Sequence, residues 1–264
     1  MTRLYERGVD FSIPSPARVY DCYLGGKNNF PADRAVAARV LAAFPQARQL
    51  ALANRGFLVR AVRFLAERGI SQFVDLGTGL PTSPNVHEVA RQVIPGARVV
   101  YVDNDPVVTT HSRALRATND GVIAIEGDIR QPGEILADPE LTALIDFSQP
   151  VAILLIAVLH FIRPEEDSAG IVAAFAARMA PGSCLAISHA TSDGADPGVL
   201  ARIADAYASA TAPVAPRPAA EIEAFFGGFE LAAPGLADVS RWRPDRRARP
   251  TSIRVLAGVG HHRG

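Results

Sequence analysis

The sequence predicts an α/β fold, namely a Rossmann-like, doubly wound, mostly parallel seven-stranded sheet with an N-terminal helical extension. Three observations support this class. From residue 71 onward, short apolar or β-branched runs alternate with helical stretches, which is typical of right-handed βαβ units. The run 151–158 is almost continuously apolar, as in a strand covered on both faces. Before residue 71, apolar residues recur at helical spacing and no strand pattern is present.

The elements follow from these patterns in chain order. Strands are predicted at 72–75, 98–102, 122–125, 151–158 and 183–188, with a closing pair at 230–232 and 253–259. Helices are predicted at 31–44, 49–68, 85–94, 106–117, 164–180, 198–210 and 219–226, with a broken helical stretch at 133–144. Pro164 suits the first turn of its helix, where the missing N–H costs nothing.

Composition limits the function classes. The 264 residues are 48% hydrophobic and carry 27 basic and 27 acidic side chains, so the electrostatic pattern of a nucleic-acid binder is absent. Two distant cysteines, Cys22 and Cys184, indicate a reducing compartment. The first residues lack the apolar core of a signal peptide, and the longest apolar run is too short to span a bilayer. We expect a cytoplasmic protein with a small-molecule substrate and no nucleic-acid or membrane partner. Its oligomeric state stays open.

A tight turn follows the first predicted strand, in the segment Asp75-Leu-Gly77-Thr78-Gly79. The glycines let the backbone approach a ligand where a Cβ would collide. A dinucleotide-binding turn would have a third glycine where Thr82 stands, and an apolar residue in place of Asp75. An acidic residue here suits a ligand with a cationic head, such as the amino group and sulfonium of S-adenosylmethionine. Taken alone, such a motif in an α/β protein is more often only a tight turn.

The second predicted strand leads into Asp103, Asn104, Asp105 and Pro106. A carboxylate at such a tip can accept hydrogen bonds from both ribose hydroxyls of a nucleoside lying across the sheet edge. We expect Asp103 to have this role, with Asn104 beside it. Asp105 is expected to cap the helix that Pro106 begins. The alternative is that Asp103 is itself only a cap.

Asp128 and Ile129 follow the third predicted strand. Asp128 can accept a hydrogen bond from an adenine amino group, while the Ile129 side chain covers the face of the ring. On its own, the pair Gly127-Asp128 is an ordinary turn. Successive parallel strands end at the same edge of a sheet, so three acidic tips in a row predict a nucleoside site at that edge.

These three motifs resemble motifs I to III of class I methyltransferases. Longer strings resemble an uncharacterised actinobacterial S-adenosyl methyltransferase family, at 19–30, 54–57, 75–82, 101–106, 157–161, 188–191 and 242–244. The resemblance covers nearly the whole chain and implies a class I, S-adenosylmethionine-dependent methyltransferase (EC 2.1.1.-), without naming the acceptor. The chain departs from the usual motif I at Pro81, where many methyltransferases have a third glycine, so the approach to the next helix must differ.

Two histidines and one lysine are further candidates. His160 follows the fourth predicted strand and is the candidate catalytic residue, as a base or a substrate contact; the alternative is a histidine bonded to backbone. His189 is a second, weaker candidate. Lys27 is the one lysine among the 27 basic residues and lies between Gly25-Gly26 and two asparagines. We predict that it folds over the site and meets a carboxylate of the cofactor or acceptor; the alternative is a surface turn.

The expected organisation is a helical cap at 1–70, with the Gly-Gly-Lys segment as a lid, followed by a class I methyltransferase domain at 71–264. The expected reaction is direct displacement at the sulfonium methyl carbon, which depends on alignment and on excluding water. A non-catalytic sensor of S-adenosylmethionine or S-adenosylhomocysteine is the alternative. A nicotinamide-dependent oxidoreductase is a third hypothesis, against which Asp75 and Thr82 argue. No metal ligands are assigned.

Overall fold

Three helices precede the sheet in this computed structural model, which describes residues 9–116, 120–245 and 250–263. They are α1 (Pro16–Leu24), α2 (Pro31–Ala43) and α3 (Ala47–Ala66). The sequence patterns predicted α2 and α3 but not α1. Both ends of α1 nonetheless follow common rules. Pro16 occupies the first helical position, and Gly25 ends the helix in the left-handed region with φ 79°.

The described residues form one mixed sheet of eight strands. The strands are β1 (Gln72–Leu76), β2 (Arg98–Asp103), β3 (Val122–Glu126), β4 (Ala152–Ile156), β5 (Cys184–Thr191), β6 (Phe229–Leu231), β7 (Ala237–Asp238) and β8 (Arg254–His262). Their order is β3-β2-β1-β4-β5-β8-β6, and β7 also pairs with β8. Strands β1 to β5 are mutually parallel, whereas β8 runs antiparallel to β5, β6 and β7.

The α/β Rossmann-like class is confirmed, but the prediction of seven strands in a mostly parallel sheet needs correction. The predicted closing pair is present as β6 and β8, and its pairings are antiparallel. The additional strand β7 has two residues, which is too short to leave an alternating pattern in the sequence.

Helices connect the strands on both faces of the sheet. They are α4 (Val86–Arg91), α5 (Pro106–Arg116), α6 (Pro132–Leu136), α7 (Pro139–Leu144), α8 (Ser168–Ala176), α9 (Pro197–Tyr207) and α10 (Ala219–Ala224), with 3₁₀ turns at Leu159–Phe161 and Pro164–Glu166. The helix predicted at 164–180 is therefore a 3₁₀ turn followed by α8. Asp167 separates the two, because it has φ 47° and its carboxylate accepts from the Gly170 N–H at 2.9 Å.

The hydrophobic core lies on both faces of the sheet, and α3 contributes to one of its layers. Phe57 and Phe64 of α3 pack edge-on against the fully buried Trp242, with ring centroids 5.2 and 5.5 Å apart. Phe73 of β1 belongs to the same buried cluster. Helix α3 thus forms a layer that packs directly on one face of the sheet, and it holds the preceding helices against that face.

The strand register brings the carboxyl ends of β1, β2 and β3 to one edge. Leu76 is paired with Val102, and Asp103 with Glu126. Strand β4 lies on the other side of β1 and ends at the same edge. Among the helices of the described part of the chain, none is long and apolar enough to cross a membrane.

Candidate functional site

A cavity opens at the carboxyl ends of β1 to β4, between the strand tips and the N-terminal helices. Its volume is about 1160 Å³, including the part open to solvent. All the predicted cofactor-binding residues except Lys27 line it: Asp75, Gly77, Thr78, Gly79, Asp103, Asn104, Asp128 and Ile129. The three motifs that the sequence pattern singled out therefore meet in one place.

The turn after β1 uses its two glycines for different purposes. Both are in the left-handed region, with φ 68° at Gly77 and 67° at Gly79. A Cβ on Gly77 would lie 2.3 Å from Cγ2 of Val158, so this glycine permits close packing against the segment after β4. A Cβ on Gly79 would meet nothing within 4 Å. The space beside Gly79, in the cavity wall, is free for a ligand.

Two buried carboxylates, Asp75 and Asp103, flank this turn. Thr78 Oγ1 donates to Asp75 Oδ2 at 2.8 Å, and the Gly79 N–H donates to Asp103 Oδ2 at 2.9 Å. Burial raises the pKa of Asp75 to about 6 and that of Asp103 to about 7, against the effect of these hydrogen bonds. In the described part of the chain, neither carboxylate forms a salt bridge. A ligand with hydroxyl donors or a cationic group suits both.

Asp105 caps α5, as predicted. Its Oδ1 accepts from the Val107 N–H at 2.8 Å. Its Oδ2 lies 3.3 Å from Nε of the buried Arg18, and the same Nε is 3.7 Å from Asp33 Oδ1. Arg18 thereby ties the first helix to the loop that carries Asp103.

Asp128 is held by an arginine that the sequence patterns did not identify. Nε of Arg130 donates to Asp128 Oδ1 at 2.9 Å, and its Nη1 lies 3.2 Å from a Glu166 carboxylate oxygen. Burial alone would raise the pKa of Asp128, but the Arg130 hydrogen bonds outweigh it and the pKa is lowered. Asn104 Nδ2 donates to Asp128 Oδ2 at 3.3 Å. Asp128 is therefore an ionised, oriented acceptor at the tip of β3.

A chain of hydrogen bonds connects the first helices to the segment after β4. The Ala157 N–H donates to Ser188 Oγ at 2.9 Å, and that hydroxyl donates to Asn54 Oδ1 at 2.6 Å. Asn54 Nδ2 donates to the Tyr20 hydroxyl at 3.1 Å, which in turn donates to the Ala51 carbonyl at 2.9 Å. Every donor and acceptor role in this chain is fixed, so it holds two cavity-lining side chains in place and supports the left-handed φ of 57° at Ala157.

The Gly-Gly-Lys-Asn-Asn segment closes around Asp21, which lines the cavity. Asp21 Oδ2 accepts from the Asn28 N–H at 3.0 Å and from Asn29 Nδ2 at 2.7 Å. A Cβ on Gly26 would lie 1.9 Å from Asp21 Oδ1, so only glycine leaves room for this carboxylate. Lys27 is exposed and does not line the cavity. The segment thus contacts a cavity-lining residue, but the structure does not bring the Lys27 side chain to the cavity.

His160 is buried outside the lining of the cavity. Its Nδ1 accepts from the Ala190 N–H at 3.2 Å. Burial holds its pKa well below the usual value, and the neighbouring His189 and Arg217 act in the same direction. The side chain is therefore neutral and bonded to backbone, while its neighbour Phe161 faces the cavity.

Arg217 holds the segment after β4 in place through hydrogen bonds. Its buried guanidinium donates to the carbonyls of Leu159 and Ile162 at 2.9 and 3.0 Å, and to Nε2 of His189 at 2.9 Å. Since Nε2 accepts, His189 carries its proton on Nδ1, which donates to the Ala190 carbonyl at 2.7 Å. Burial lowers the pKa of His189 to about 4. His189 is accordingly a neutral structural link.

The motif patterns did not single out several polar side chains that line the cavity, among them Tyr20, Asp21, Asn54, Arg55 and Arg130. The first four lie inside the strings 19–30 and 54–57 on which the family resemblance depends. Those strings were the available signal. Arg130 follows Asp128 by two residues and leaves no comparable mark in the sequence.

Comparison with known proteins places these features in a family. The model of a family described as S-adenosyl methyltransferase matches residues 3–263. A solved structure from Thermobifida fusca YX, proposed to be a methyltransferase, is 44% identical, with a TM-score of 0.91, and the match covers 97% of this chain and 98% of that chain. A DUF574 family protein from Streptomyces avermitilis MA-4680 is 40% identical, with a TM-score of 0.91 and coverage of 96% and 99%.

A more distant structure shows the fold alone. It is 1,6-didemethyltoxoflavin-N1-methyltransferase from Burkholderia thailandensis, which is 15% identical, with a TM-score of 0.50 and coverage of 89% and 91%. A search of curated proteins gave no significant match. The family model and the two similar structures cover nearly the full described chain, and they give no support to the sensor or oxidoreductase alternatives. The chain belongs to the S-adenosyl methyltransferase family and is an S-adenosylmethionine-dependent methyltransferase.

Proposed function

We propose that the protein transfers the methyl group of S-adenosylmethionine to a small-molecule acceptor bound in the same cavity. One observation carries this proposal: the tips of β1, β2 and β3 converge on a cavity that continues to the N-terminal helices. The part of the cavity beyond the three strand tips is the proposed place for the acceptor. The Burkholderia neighbour, whose structure contains 1,6-didemethyltoxoflavin and S-adenosylhomocysteine, is an example of the fold acting on a small molecule.

The residues present fit the cofactor. The open space beside Gly79 admits a ligand against the backbone of the turn. Asp103, whose carboxylate accepts only backbone N–H bonds in the described structure, is proposed to accept from the ribose hydroxyls. Asp75, buried and without a cationic partner within salt-bridge distance among the described residues, is proposed to face the cationic head.

The adenine end is proposed to lie at the tip of β3. Asp128 would accept from the adenine amino group, and Ile129, which is 6% exposed at the cavity wall, would cover one face of the ring. Arg130 keeps Asp128 ionised and oriented, so it acts as a positioning residue for this contact. Asn104 supports the same carboxylate from the neighbouring loop.

When bound, S-adenosylmethionine supplies a methyl group on a positively charged sulfur, which an acceptor nucleophile can displace directly. The protein's contribution is then to align the two molecules and exclude water. The Tyr20–Asn54–Ser188 chain and the Arg217 contacts fix the walls on which alignment depends. His160 stays a candidate catalytic residue, although its bond to Ala190 favours a positioning role.

The N-terminal helices are proposed to act as a cap on the methyltransferase domain, with residues 1–70 as the cap and 71–264 as the domain. The Gly-Gly-Lys segment would then be a fixed part of the cavity rim that holds Asp21. Residues 1–8 of the predicted cap lie outside the described residues.

Calorimetric titration with S-adenosylmethionine, S-adenosylhomocysteine and NAD tests the cofactor assignment. We expect binding of the two sulfur nucleosides and none of NAD. NAD binding without either sulfur nucleoside would contradict the proposal. Transfer of label from methyl-labelled S-adenosylmethionine into fractionated metabolite pools would then identify the acceptor.

A further inference from the structure

We infer that Asp21 pairs with a cationic nitrogen of the methyl acceptor, which makes basic amines the acceptor class of this enzyme. The inference rests on the proposed function, because it concerns the part of the cavity that the cofactor roles leave unused. Six residues of that part, Tyr20, Asp21, Leu24, Phe161, Ile162 and Thr211, are here called the outer wall. Arg55 also lines the cavity, and its Nη2 donates to the carbonyls of Thr82 and Pro84 at 2.7 and 2.9 Å.

The outer wall is continuous although its residues are far apart in the sequence. The Phe161 ring lies 5.7 Å from that of Tyr207, and the Tyr207 hydroxyl lies 3.2 Å from that of Tyr23 in α1. The Thr211 N–H donates to the Pro14 carbonyl at 2.9 Å. The first helix, the turn after β4 and the segment after α9 therefore form one surface.

The chemistry of the outer wall favours a cation. Asp21 is its charged residue, and Tyr20 and Phe161 are its aromatic ones. A carboxylate beside aromatic rings is a favourable environment for an ammonium group, through ion pairing and cation–π attraction. The Tyr20 hydroxyl is fully engaged with the Ala51 carbonyl and Asn54, so it does not compete as a polar contact.

The Asp21 carboxylate has one oxygen committed and one left for a ligand. Oδ2 accepts from Asn28 and Asn29, whereas no donor among the described residues is hydrogen-bonded to Oδ1. The residue is only 6% exposed, and no cationic side chain of the described chain lies within salt-bridge distance. Because Asp21 lines the cavity, a cationic nitrogen bound there can donate to this oxygen and pair with the charge.

The surrounding loop holds this charge in a fixed place. Gly26 donates its N–H to the Asp21 carbonyl at 2.8 Å, and its missing Cβ leaves the space that the carboxylate occupies. Asn29 is itself held, because Arg34 Nη1 donates to its carbonyl oxygen at 2.9 Å and to its Oδ1 at 3.1 Å. A fixed carboxylate pairs with a ligand cation at a smaller entropic cost than a mobile one.

The test uses the full chain saturated with S-adenosylhomocysteine, so that ligands bind without reacting. The probes are aromatic fragments of one skeleton with different charge: phenethylamine, 2-phenylethanol and 3-phenylpropionate. We expect the amine to bind about tenfold or more tightly than the alcohol, and the carboxylate to bind most weakly. Asp21→Asn should remove the preference for the amine, because it keeps an acceptor oxygen for Asn28 and Asn29 but loses the charge.

Gly26→Ala is a second variant that keeps the charge and displaces it. The new Cβ would occupy the position of the carboxylate, whose flexible end can move, so the fold is expected to persist while the preference for amines is lost. Lys27→Ala is the matched control on the same loop, since Lys27 is exposed and outside the cavity; the preference should be unchanged.

Each contrary outcome has a definite meaning. Charge-independent binding, absence of amine binding, or a preference that survives Asp21→Asn would overturn the inference. A tenfold or greater loss of S-adenosylhomocysteine affinity in Asp21→Asn would also overturn it, by assigning Asp21 to the cofactor. Failure of the unchanged protein to bind either sulfur nucleoside would instead refute the proposed function.

Discussion

The two sides of the cavity are built in different ways. On the strand-tip side, each functional carboxylate comes directly after the strand that positions it, as Asp103 follows β2. On the outer wall, residues from the first helix, the turn after β4 and the segment after α9 meet through tertiary contacts. The first side is specified locally and can be recognised from short motifs. The second depends on packing between distant segments, and it is the side to which we assign recognition of the acceptor.

The largest effect is expected on the strand-tip side. Asp103→Ala should weaken S-adenosylmethionine binding by about 2–4 kcal/mol, because it removes a carboxylate that accepts two hydroxyl hydrogen bonds. Titration calorimetry measures the loss, and thermal unfolding checks that the fold is retained. Affinity equal to that of the unchanged protein would show that Asp103 only orders the loop through Gly79 and Asp105.

The two glycines of the turn should separate folding from binding. Gly77→Ala is expected to lower the free energy of unfolding by about 2–4 kcal/mol, because it combines a left-handed alanine with a collision against Val158. Gly79→Ala has the same backbone strain but open space, so about 1 kcal/mol of stability should be lost while cofactor affinity falls. Urea unfolding and calorimetry on both variants measure the contrast. Equal stabilities would contradict it.

The pH dependence should also be located on the strand-tip side. Cofactor binding is expected to favour ionised Asp103 and Asp75, whose pKa values in the free protein are about 7 and about 6. Affinity should therefore fall as the pH decreases through 7 to 6, by up to about tenfold per pH unit for each group. Asp103→Asn should remove the component near pH 7. A flat profile would mean that neither carboxylate must ionise to bind the cofactor.

The free protein should show the opposite trend in stability. Because folding raises both pKa values, the folded state binds these protons more tightly than the unfolded state does. The contribution of both groups to the unfolding free energy is full below about pH 4 and is lost as the pH rises through 6 and 7. Denaturant unfolding of the unchanged protein and of Asp103→Asn, without ligand, isolates this contribution.

His160 should have a smaller effect than the carboxylates. His160→Asn keeps a side-chain acceptor for the Ala190 N–H, so cofactor affinity and methyl transfer should change less than about tenfold. Transfer of label to the acceptor pool measures it. A loss of about a hundredfold or more in transfer, with cofactor affinity unchanged, would restore the catalytic role predicted from the sequence.

The smallest effect is expected at Lys27. Because its side chain is exposed and outside the cavity, Lys27→Arg should change unfolding free energy by less than about 0.5 kcal/mol and leave methyl transfer intact. Impaired transfer in this variant would instead support the predicted lid contact.

Sequence reasoning succeeded where the relevant signal was local. The apolar runs and proline or glycine boundaries predicted the parallel strands to within a few residues. The acidic residues after the strands predicted the residues that line the strand-tip side of the cavity. It failed at β7, which is too short for a periodic pattern, and at α8, where Asp167 adopts a left-handed conformation that interrupts the predicted helix.

The outer wall was harder to predict for a physical reason. The unusual composition of the 25–29 segment was visible, but it drew attention to the charge of Lys27, whereas the folded loop turns its amide groups toward Asp21. Which polar group a loop surrounds is decided by tertiary packing, and a pattern of residue types does not encode it. Arg217 is a similar case, since its partners are backbone carbonyls from residues 55 or more positions away.

The placement of β8 has a consequence for the order in which the protein folds during synthesis. Strand β8 lies between β5 and β6 and also pairs with β7, so three strands await residues 254–262 before their ladders are complete. The ladders among β1 to β4 include no strand from that segment, although Phe73 and Leu154 share a buried cluster with Val255 and Val259. The strand-tip half can therefore assemble while the later part of the chain is still being translated, with β5 exposing an unpaired edge until β8 arrives. A ribosome-stalled chain ending near residue 250 tests this order, because it can bind the sulfur nucleosides only if the half-sheet of β1 to β4 is stable without β8.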